Sequence, residues 1–340
     1  MKIKSPLASK KEVSPLCDAG ADEFFCGIET YNWRRRYRGF CINQRSSRAN
    51  FVKFKDLEKA ISIAHKYKAK VHVAVNAFLY SEGQYKMAAS LVKEALGIGA
   101  DGVIIADPVL LLMLGRSVFK GKDVVIGCDA TVFNSCAVEL YKSLGATRMV
   151  LDRSMTINEM KQMVAVDSTI EYESFIINDL CFFVDGFCAC CKEQFRPVWL
   201  QKKTKINDKI SIFTARSSLR QNKRSFCRGQ FSQQKVSLTY DAPIGSVKTF
   251  SFWDKKHIEG CGACAIYDFK KIGIKSLKIL DRNLPTEKKI RSTLFIRKCQ
   301  DLLKEDCLPK KDYIRQCKHL FSDTFKVSCN RYDCYYPSFF

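Results

Sequence analysis

The chain has 340 residues, of which 46% are hydrophobic and 12% aromatic, so it can bury a large core and is not intrinsically disordered. Its 57 Lys and Arg against 35 Asp and Glu give a formal charge of +22, which favours anionic partners such as RNA, phosphates or carboxylates. The longest apolar stretch, residues 102–114, is interrupted by Asp107-Pro108 and falls short of the roughly 20 residues of a membrane-spanning helix. No apolar signal segment follows Met1, so we expect a cytoplasmic protein without a membrane span.

The chain contains 17 cysteines, a large number for a cytoplasmic protein. Disulfides are disfavoured in a reducing compartment, and an odd number leaves at least one thiol unpaired in any case. Ligation of a metal or a cluster, together with several buried thiols that pack as small hydrophobic groups, explains the count better.

Short β-rich runs alternate with helical patterns through the first 180 residues. The predicted strands are Met1–Ile3, Glu23–Cys26, Lys70–Val75, Gly102–Ala106, Val124–Gly127, Arg148–Leu151, Ile170–Phe175 and Ser276–Leu280. This alternation predicts parallel strands joined by crossover helices. Because no G-x-G-x-x-G follows the first strand, an α/β fold of the TIM-like (β/α)8 barrel type is favoured over a dinucleotide-binding sheet.

The barrel is expected to be interrupted before its last strand. Residues 1–180 and 265–283 are predicted to form the barrel, and residues 181–264 a cysteine-rich basic insertion. Residues 284–340 are predicted to form a helical C-terminal extension, with helices over residues 286–303 and 310–321.

Polar residues follow several predicted strands, at the end of the barrel where this fold places its reacting groups. They are Asn76, Asp107, Asp129, Asp152 and Arg153. Asp107 is the candidate for proton transfer, and Arg153 and Arg282 are the candidates to hold a carboxylate or phosphate through paired hydrogen bonds. Asn76 and Asp129 are candidate substrate contacts. Helix capping explains each of the acidic and amide side chains equally well, and a surface ion pair explains Arg153.

Several motifs occur in the order found in a known family. Residues 20–27 read G-A-D-E-F-F-C-G and residues 273–279 read G-I-K-S-L-K-I, and between them lie N-F at 50–51, V-N at 75–76, D-P at 107–108 and R-M-V-L-D-R at 148–153. Over residues 1–282 the chain resembles the collagenase-like peptidases of unassigned catalytic type. Leu280-Asp281-Arg282 replaces the family's usual E-G-R, and Ile177–Cys181 replaces its H-G-A-x-C, so a divergent subgroup is expected.

The resemblance implies an iron–sulfur cluster, of the 4Fe-4S type, on Cys181, Cys188, Cys227 and Cys261. Thiolate sulfur suits iron–sulfur clusters and zinc alike, so zinc and purely structural thiols remain alternatives. Cys190, Cys191 or Cys264 could replace one of these ligands. The pair Cys329 and Cys334 either forms a second site or packs as isolated thiols.

Two basic segments are predicted to flank the barrel mouth. Arg34, Arg35 and Arg36 begin an arginine-rich loop after the second strand, and residues 192–226 hold ten Lys and Arg against two acidic residues. Trp33, Tyr37, Phe195 and Trp199 interleave with these charges, a combination that binds single-stranded RNA. A solvated basic loop is the alternative.

Three classes of function follow. The first is an enzyme that modifies RNA bases or aromatic rings by oxygen-independent hydroxylation, as the resemblance implies for one branch of the family; it would also need an electron donor or partner protein. The second is a peptidase, as the family name implies, although no H-E-x-x-H or G-x-S-x-G motif occurs. The third is a non-catalytic, cluster-bearing scaffold.

Overall fold

The structure is a computed structural model that describes residues 1–37, 42–43, 49–180, 184–187, 260–304, 308–331 and 333–339. The chain divides into one unit of Met1–Phe187 and Ile258–Phe340 and a second of Cys188–His257, and all described residues belong to the first. The expected ligands Cys181, Cys188 and Cys227, the cysteines Cys190 and Cys191, and the basic segment 192–226 lie outside the described residues.

Strands and helices alternate along the described chain. The strands are β1 (Lys2–Pro6), β2 (Glu23–Ile28), β3 (Asn50–Phe51), β4 (Lys70–Ala74), β5 (Gly102–Ile105), β6 (Asp123–Ile126), β7 (Arg148–Val150), β8 (Glu171–Ile177) and β9 (Ser276–Ile279). The helices are α1 (Val13–Asp18), α2 (Tyr31–Arg36), α3 (Phe54–Lys66), α4 (Glu82–Gly97), α5 (Pro108–Leu114), α6 (Ser135–Ser143), α7 (Ile157–Val166), α8 (Ile266–Ile272), α9 (Thr286–Asp301) and α10 (Lys310–Phe325). All eight predicted strands are present, each within a few residues of its expected bounds.

Eight parallel strands close into a barrel, and β3 adds a short edge beside β2. Closure occurs at β1, which pairs with β2 on one side and β9 on the other, with Ile3 opposite Leu277 and Ser5 opposite Phe24. The predicted TIM-like (β/α)8 fold with a helical C-terminal region is therefore confirmed. None of the helices in the described part of the chain has the length and apolar character of a membrane span.

Left-handed backbone occurs at both ends of the barrel. The turns before β2, β5, β7 and β9 each contain a glycine of positive φ, namely Gly20, Gly99, Gly145 and Gly273, whereas Lys68 adopts this conformation before β4. After β6, β8 and β9, at the barrel mouth, the left-handed residues are Thr131, Asn178, Asp179 and Asp281. These carry side chains, although glycine adopts this conformation at lower cost.

The barrel interior contains charged side chains where branched aliphatic layers are usual. Glu173 on β8 is fully buried and lies 2.5 Å from the Lys4 ammonium, 3.1 Å from that of Lys278 and 3.3 Å from Arg148 Nη1. Arg148 also donates to both carboxylate oxygens of Glu23, at 2.6 and 3.0 Å. Buried charges are tolerated when they are paired in this way.

This network makes stability sensitive to acid. Burial alone would raise the pKa of Glu23, but attraction to Lys4 and the Arg148 hydrogen bonds outweigh it and lower the pKa from 4.5 to about 2. A depressed folded-state pKa contributes stability above pH 4.5 that is lost as pH falls towards 2, worth roughly 3 kcal/mol. In urea unfolding across this range, we expect Glu23→Gln to flatten the pH dependence; an unchanged slope would contradict this.

The C-terminal helix α9 packs against α1 and β1. The Lys289 ammonium lies 2.9 Å from Glu12, and both side chains are buried. Arg297 donates to the Asp22 carboxylate at 2.7 Å and also binds the Gly20 carbonyl. The helical extension is thereby fixed along the barrel wall, through Glu12 at the end where β1 finishes and through Gly20 and Asp22 at the opposite end.

Candidate functional site

The ends of β4 and β6 bring two predicted residues together at the barrel mouth. Asn76 Nδ2 donates to Asp129 Oδ2 at 2.9 Å. The other amide atom, Asn76 Oδ1, is buried without a hydrogen-bond partner among the described residues. Asp129 lies in a short 3-10 turn after β6 and is itself buried. The pair therefore presents one unsatisfied acceptor within a polar, buried corner of the mouth.

Arg153, after β7, is buried, and both of its Nη atoms bind the chain that follows β8, whereas its Nε has no hydrogen-bond partner among the described residues. Its Nη1 donates to the Asp179 carbonyl at 2.5 Å, its Nη2 pairs with the Asp185 carboxylate, and its guanidinium lies 4.8 Å from the centre of the Phe175 ring. Arg153 therefore forms an ion pair, as the alternative interpretation of the sequence predicted, but this pair is buried and does not lie on the surface. Arg153 thus binds Asp179 and Asp185, which flank Cys181 in the sequence.

Lys278 lies with Arg153 and Arg282 in a group of cations at the barrel mouth, the cationic floor. Lys278 was not among the site residues predicted from the sequence. Its ammonium lies 4.7 Å from the centre of the Phe25 ring and 5.8 Å from that of Phe175. Phe25 is shared with Arg282, and Phe175 with Arg153. Phe25 lies in the G-A-D-E-F-F-C-G motif and Lys278 in the S-L-K-I motif. These motifs are the sequence feature that could have identified the two residues. The three cations thus lie around two aromatic rings, and two of them are also paired with carboxylates, Lys278 with Glu173 and Arg153 with Asp185.

Arg282, after β9, is positioned by two amide side chains. It donates to Asn50 Oδ1 at 3.0 Å and to Asn43 Oδ1 at 3.2 Å. Gly27 lies directly beneath this group, and a Cβ atom there would stand closer than 3.0 Å to Arg282, Asn50 and Asn43. The glycine that ends the first motif is therefore required by the approach of Arg282, not by backbone conformation.

We expect Gly27→Ala to destabilise the protein and to displace Arg282, because the added methyl group overlaps three buried polar atoms. The effect should be about 1–3 kcal/mol in denaturant unfolding, the usual range for overpacking. Gly97→Ala is the matched control: Gly97 ends α4 with nothing within 4 Å of an added Cβ. It should be neutral or stabilising, and equal effects of the two changes would refute this role of Gly27.

Asp107 caps helix α5. Helix capping and proton transfer were the two roles predicted for this residue from the sequence. Its Oδ1 accepts from the Leu110 amide at 3.0 Å, and Pro108 occupies the first helical position. Its Oδ2 accepts from the Tyr85 hydroxyl at 3.0 Å. Burial and the hydrogen bond to Asp107 raise the pKa of Tyr85 to about 12, so this hydroxyl keeps its proton at neutral pH.

Cys128, Asp129 and Asp185 meet beside Arg153, with their potential ligand atoms within 4.8 Å of one another. Burial and the two carboxylates raise the pKa of Cys128 well above its usual value. Arg153 already compensates the charge of Asp185. The grouping is therefore explained without a metal, although its residues could serve as ligands.

Cys261 is the one expected cluster ligand among the described residues. Gly260, which precedes it, packs against Leu180, which precedes Cys181: a Cβ at Gly260 would lie 2.7 Å from Leu180 Cβ. The Ala263 amide points at Cys261 Sγ across 3.5 Å. A soft sulfur donor with an N–H hydrogen bond is the environment of an iron–sulfur ligand, so Cys261 fits this role.

The arginine-rich segment differs from the predicted loop at its start. Thr30 caps helix α2, and Trp33 in that helix is fully buried. Arg35 and Arg36 are exposed, whereas Arg34 Nε donates to the buried Glu29 carboxylate at 3.0 Å. The segment folds as a helix because its buried tryptophan anchors it, and this leaves Arg35 and Arg36 as its outward-facing cations.

A closed parallel barrel with polar residues at the carboxyl ends of its strands agrees with the resemblance found in the sequence. A family model described as peptidase family U32 matches residues 8–333. The chain belongs to this family. In the U32 barrel described here, Gly27, Asn50, Lys278 and Arg282 meet at one side of the mouth.

Relatives of this U32 protein carry names from RNA modification. It is 29% identical over 191 residues to tRNA hydroxylation protein P1 of Bacillus subtilis (strain 168), a match covering 55% of this chain and 41% of the relative. It is 25% identical over 186 residues to tRNA hydroxylation protein P of Escherichia coli (strain K12), covering 55% and 38%. A 23S rRNA 5-hydroxycytidine synthase of the same strain is 26% identical over 135 residues, covering 39% and 20%. The matched regions therefore span about two fifths or less of these curated relatives.

Proposed function

We propose that this protein takes part in the oxygen-independent hydroxylation of an RNA base. The observation that carries the proposal is that curated relatives matching about half of the chain are named for hydroxylation of tRNA and rRNA. The positive net charge and the cationic floor of the mouth support an anionic substrate. The described histidines give no support to a peptidase, because His65 and His319 lie on outer helices and His72 binds Asp123 at the opposite end of the barrel.

The proposed cofactor is a 4Fe-4S cluster on Cys181, Cys188, Cys227 and Cys261. When bound, such a cluster supplies one-electron redox chemistry. Arg153 would hold the segment on which Cys181 lies, through Asp179 and Asp185 on its two sides. Protein purified without oxygen after iron-replete expression should be brown and should lose its iron when Cys261 is replaced by serine. Colourless protein containing zinc instead would contradict this assignment.

The chain's own residues would bind and orient the substrate. We propose that Arg282 and Lys278 attract its phosphate or carboxylate to the floor of the mouth, and that Asn76 and Asp129 contact the base through the unsatisfied amide oxygen. Asp107 is proposed to move a proton with Tyr85 as its hydrogen-bonded partner. Each group lies at a strand end of the mouth, where this fold carries out chemistry.

The test of function is a comparison of modified nucleosides. Total RNA from a strain that lacks the gene, digested and analysed by mass spectrometry, should lack one hydroxylated nucleoside that the parent strain contains. The wild-type gene should restore it, and a gene encoding Arg282→Ala should not. If the deletion leaves every hydroxylated nucleoside at its parental level, the proposed function is wrong.

RNA binding gives a second, independent prediction. Because log affinity falls with log salt in proportion to the number of phosphate contacts, Arg35→Gln with Arg36→Gln should flatten that slope by about two units. Arg34→Gln should change it less, since Arg34 is already paired with Glu29. Arg315→Gln, an exposed arginine on α10, is the control. The measurement is tRNA binding across a salt series, and a slope that none of these changes alters would leave the solvated-surface interpretation.

A further inference from the structure

Five cysteines outside the proposed cluster gather where the C-terminal region meets the chain after the insertion, and one of them, Cys299 on α9, forms a hydrogen bond with Cys317. Cys264 lies in a 3-10 turn before α8, Cys317 lies on α10, and Cys329 and Cys334 follow α10. Cys264, Cys317 and Cys334 are buried, and Cys329 is half-buried. Burial first, and then Cys317, Cys329 and Cys334, raise the pKa of the Cys264 thiol.

Helix α10 directs Cys317 towards Cys264. The Tyr313 hydroxyl donates to the Ala263 carbonyl at 3.1 Å, which fixes this face of α10 on the turn that contains Cys264. Cys317 follows Tyr313 by four residues and therefore lies on the same helix face. Only 1% of its surface is exposed. Two of these thiols are thus brought together by a contact that does not itself involve sulfur.

The segment after α10 folds back to bring two further thiols to the same place. Between Cys329 and Cys334, Asn330 and Asp333 form a turn: Asn330 Nδ2 donates to Asp333 Oδ2 at 2.6 Å, and the Asp333 amide donates to Asn330 Oδ1 at 3.0 Å. Cys334 then pairs through its backbone with Cys261, three residues before Cys264. A short loop bounded by two cysteines, set against a second cysteine-bearing turn, is a frequent arrangement at structural zinc sites.

We propose that Cys264, Cys317, Cys329 and Cys334 bind a structural zinc ion that fixes the C-terminal segment to the barrel. Four thiolates with no open position make the closed tetrahedral site typical of structural zinc. Zinc binding would release the thiol protons and leave Cys261 to the cluster.

The sulfur atoms must move to bind. Among the described residues, no three of these four thiols lie within 4.8 Å of one another. Rotation of the cysteine side chains, above all in the irregular segment that contains Cys329 and Cys334, would bring them to tetrahedral spacing. The proposal does not depend on RNA hydroxylation, since it concerns a site with no part in the mouth.

The test is the metal content of the full chain, expressed with both iron and zinc and purified without oxygen. Wild-type protein should contain about one zinc ion per chain in addition to its iron. Cys329→Ser with Cys334→Ser should lose the zinc and keep the iron, and Cys136→Ser, which changes an exposed thiol on α6, should keep both. If the double variant fails to fold, Cys329→Ser alone should still release zinc to a chelator faster than the wild type does.

A second readout is cobalt substitution, since four thiolates give Co²⁺ the intense absorption of a tetrahedral sulfur site. That spectrum should appear in wild-type protein and in Cys136→Ser, and should be lost in the Cys329 and Cys334 variants. Wild-type protein without zinc, or variants that retain it, would overturn the proposal. Loss of iron together with zinc would overturn it as well, because the tail thiols would then be ligands of the cluster.

Discussion

Replacing Arg153 with alanine is expected to abolish the proposed RNA hydroxylation and to release the iron of the proposed cluster. The guanidinium binds the Asp179 carbonyl at 2.5 Å and pairs with the Asp185 carboxylate, and these residues stand on either side of Cys181. Without Arg153, the segment loses both anchors, and Asp185 is left without its cation. Breaking a fully buried pair costs about 3–5 kcal/mol, and the partial exposure of Asp185 makes the lower end appropriate.

The control is an arginine with the same kinds of partner at the other end of the barrel. Arg297 also binds a backbone carbonyl and an aspartate, through Gly20 and Asp22. Arg297→Ala should lower the melting temperature but leave iron content and hydroxylation intact. Iron analysis, thermal melting and complementation of the deletion strain measure the three effects. If Arg153→Ala retains both iron and activity, the active site lies elsewhere.

Replacing Glu173 with alanine is expected to be among the most destabilising single changes in the barrel. Its carboxylate is fully buried and forms ion pairs with Lys4, Lys278 and Arg148. Its removal therefore leaves three buried cations close to one another without this counter-charge. We expect a loss of about 3–5 kcal/mol in the free energy of unfolding. Attraction to these cations outweighs burial and holds the pKa of Glu173 well below its usual range, so the carboxylate is charged at neutral pH.

Glu171 provides an internal comparison on the same strand. It also accepts from Arg148, at 2.6 Å, but its side chain is 49% exposed. Glu171→Ala should therefore cost no more than about 1 kcal/mol. Urea unfolding of the two variants at neutral pH measures the difference. Similar losses for both would show that burial does not govern the energy of this network.

The sequence predicted the barrel because its strands are short apolar runs of regular spacing, such as Gly102–Ile105 and Asp123–Ile126. It did not predict the charged interior. Strand β1 reads K-I-K-S-P and β8 begins E-Y-E, so Lys4 and Glu173 alternate with apolar residues, which is also the pattern of side chains that face solvent. Only closure of the sheet brings residues 169 positions apart into contact. Pairing of this kind depends on topology and leaves no local signal.

The sequence likewise predicted only part of the candidate site. Strand ends located Asn76, Asp129, Arg153 and Arg282 at the mouth, because their position follows from the fold class. Their partners were not foreseen, since Asp185 and Asn43 come from irregular segments whose course no periodicity describes. Helix α2 was missed for a related reason: its run of arginines is typical of a solvated loop, and only the burial of Trp33 shows that it is anchored.

The choice of residues with left-handed backbone has a consequence for anyone who selects this protein for heat resistance. At Asn178, Asp179 and Asp281, glycine would relieve backbone strain on the order of 1 kcal/mol each. The same substitutions would remove the side chains of Asn178 and Asp179, which bind Ser292 and Arg153. Relief of the backbone and loss of these buried contacts change the stability in opposite directions. A selection for heat resistance alone should therefore retain Asn178 and Asp179 in spite of their left-handed backbone.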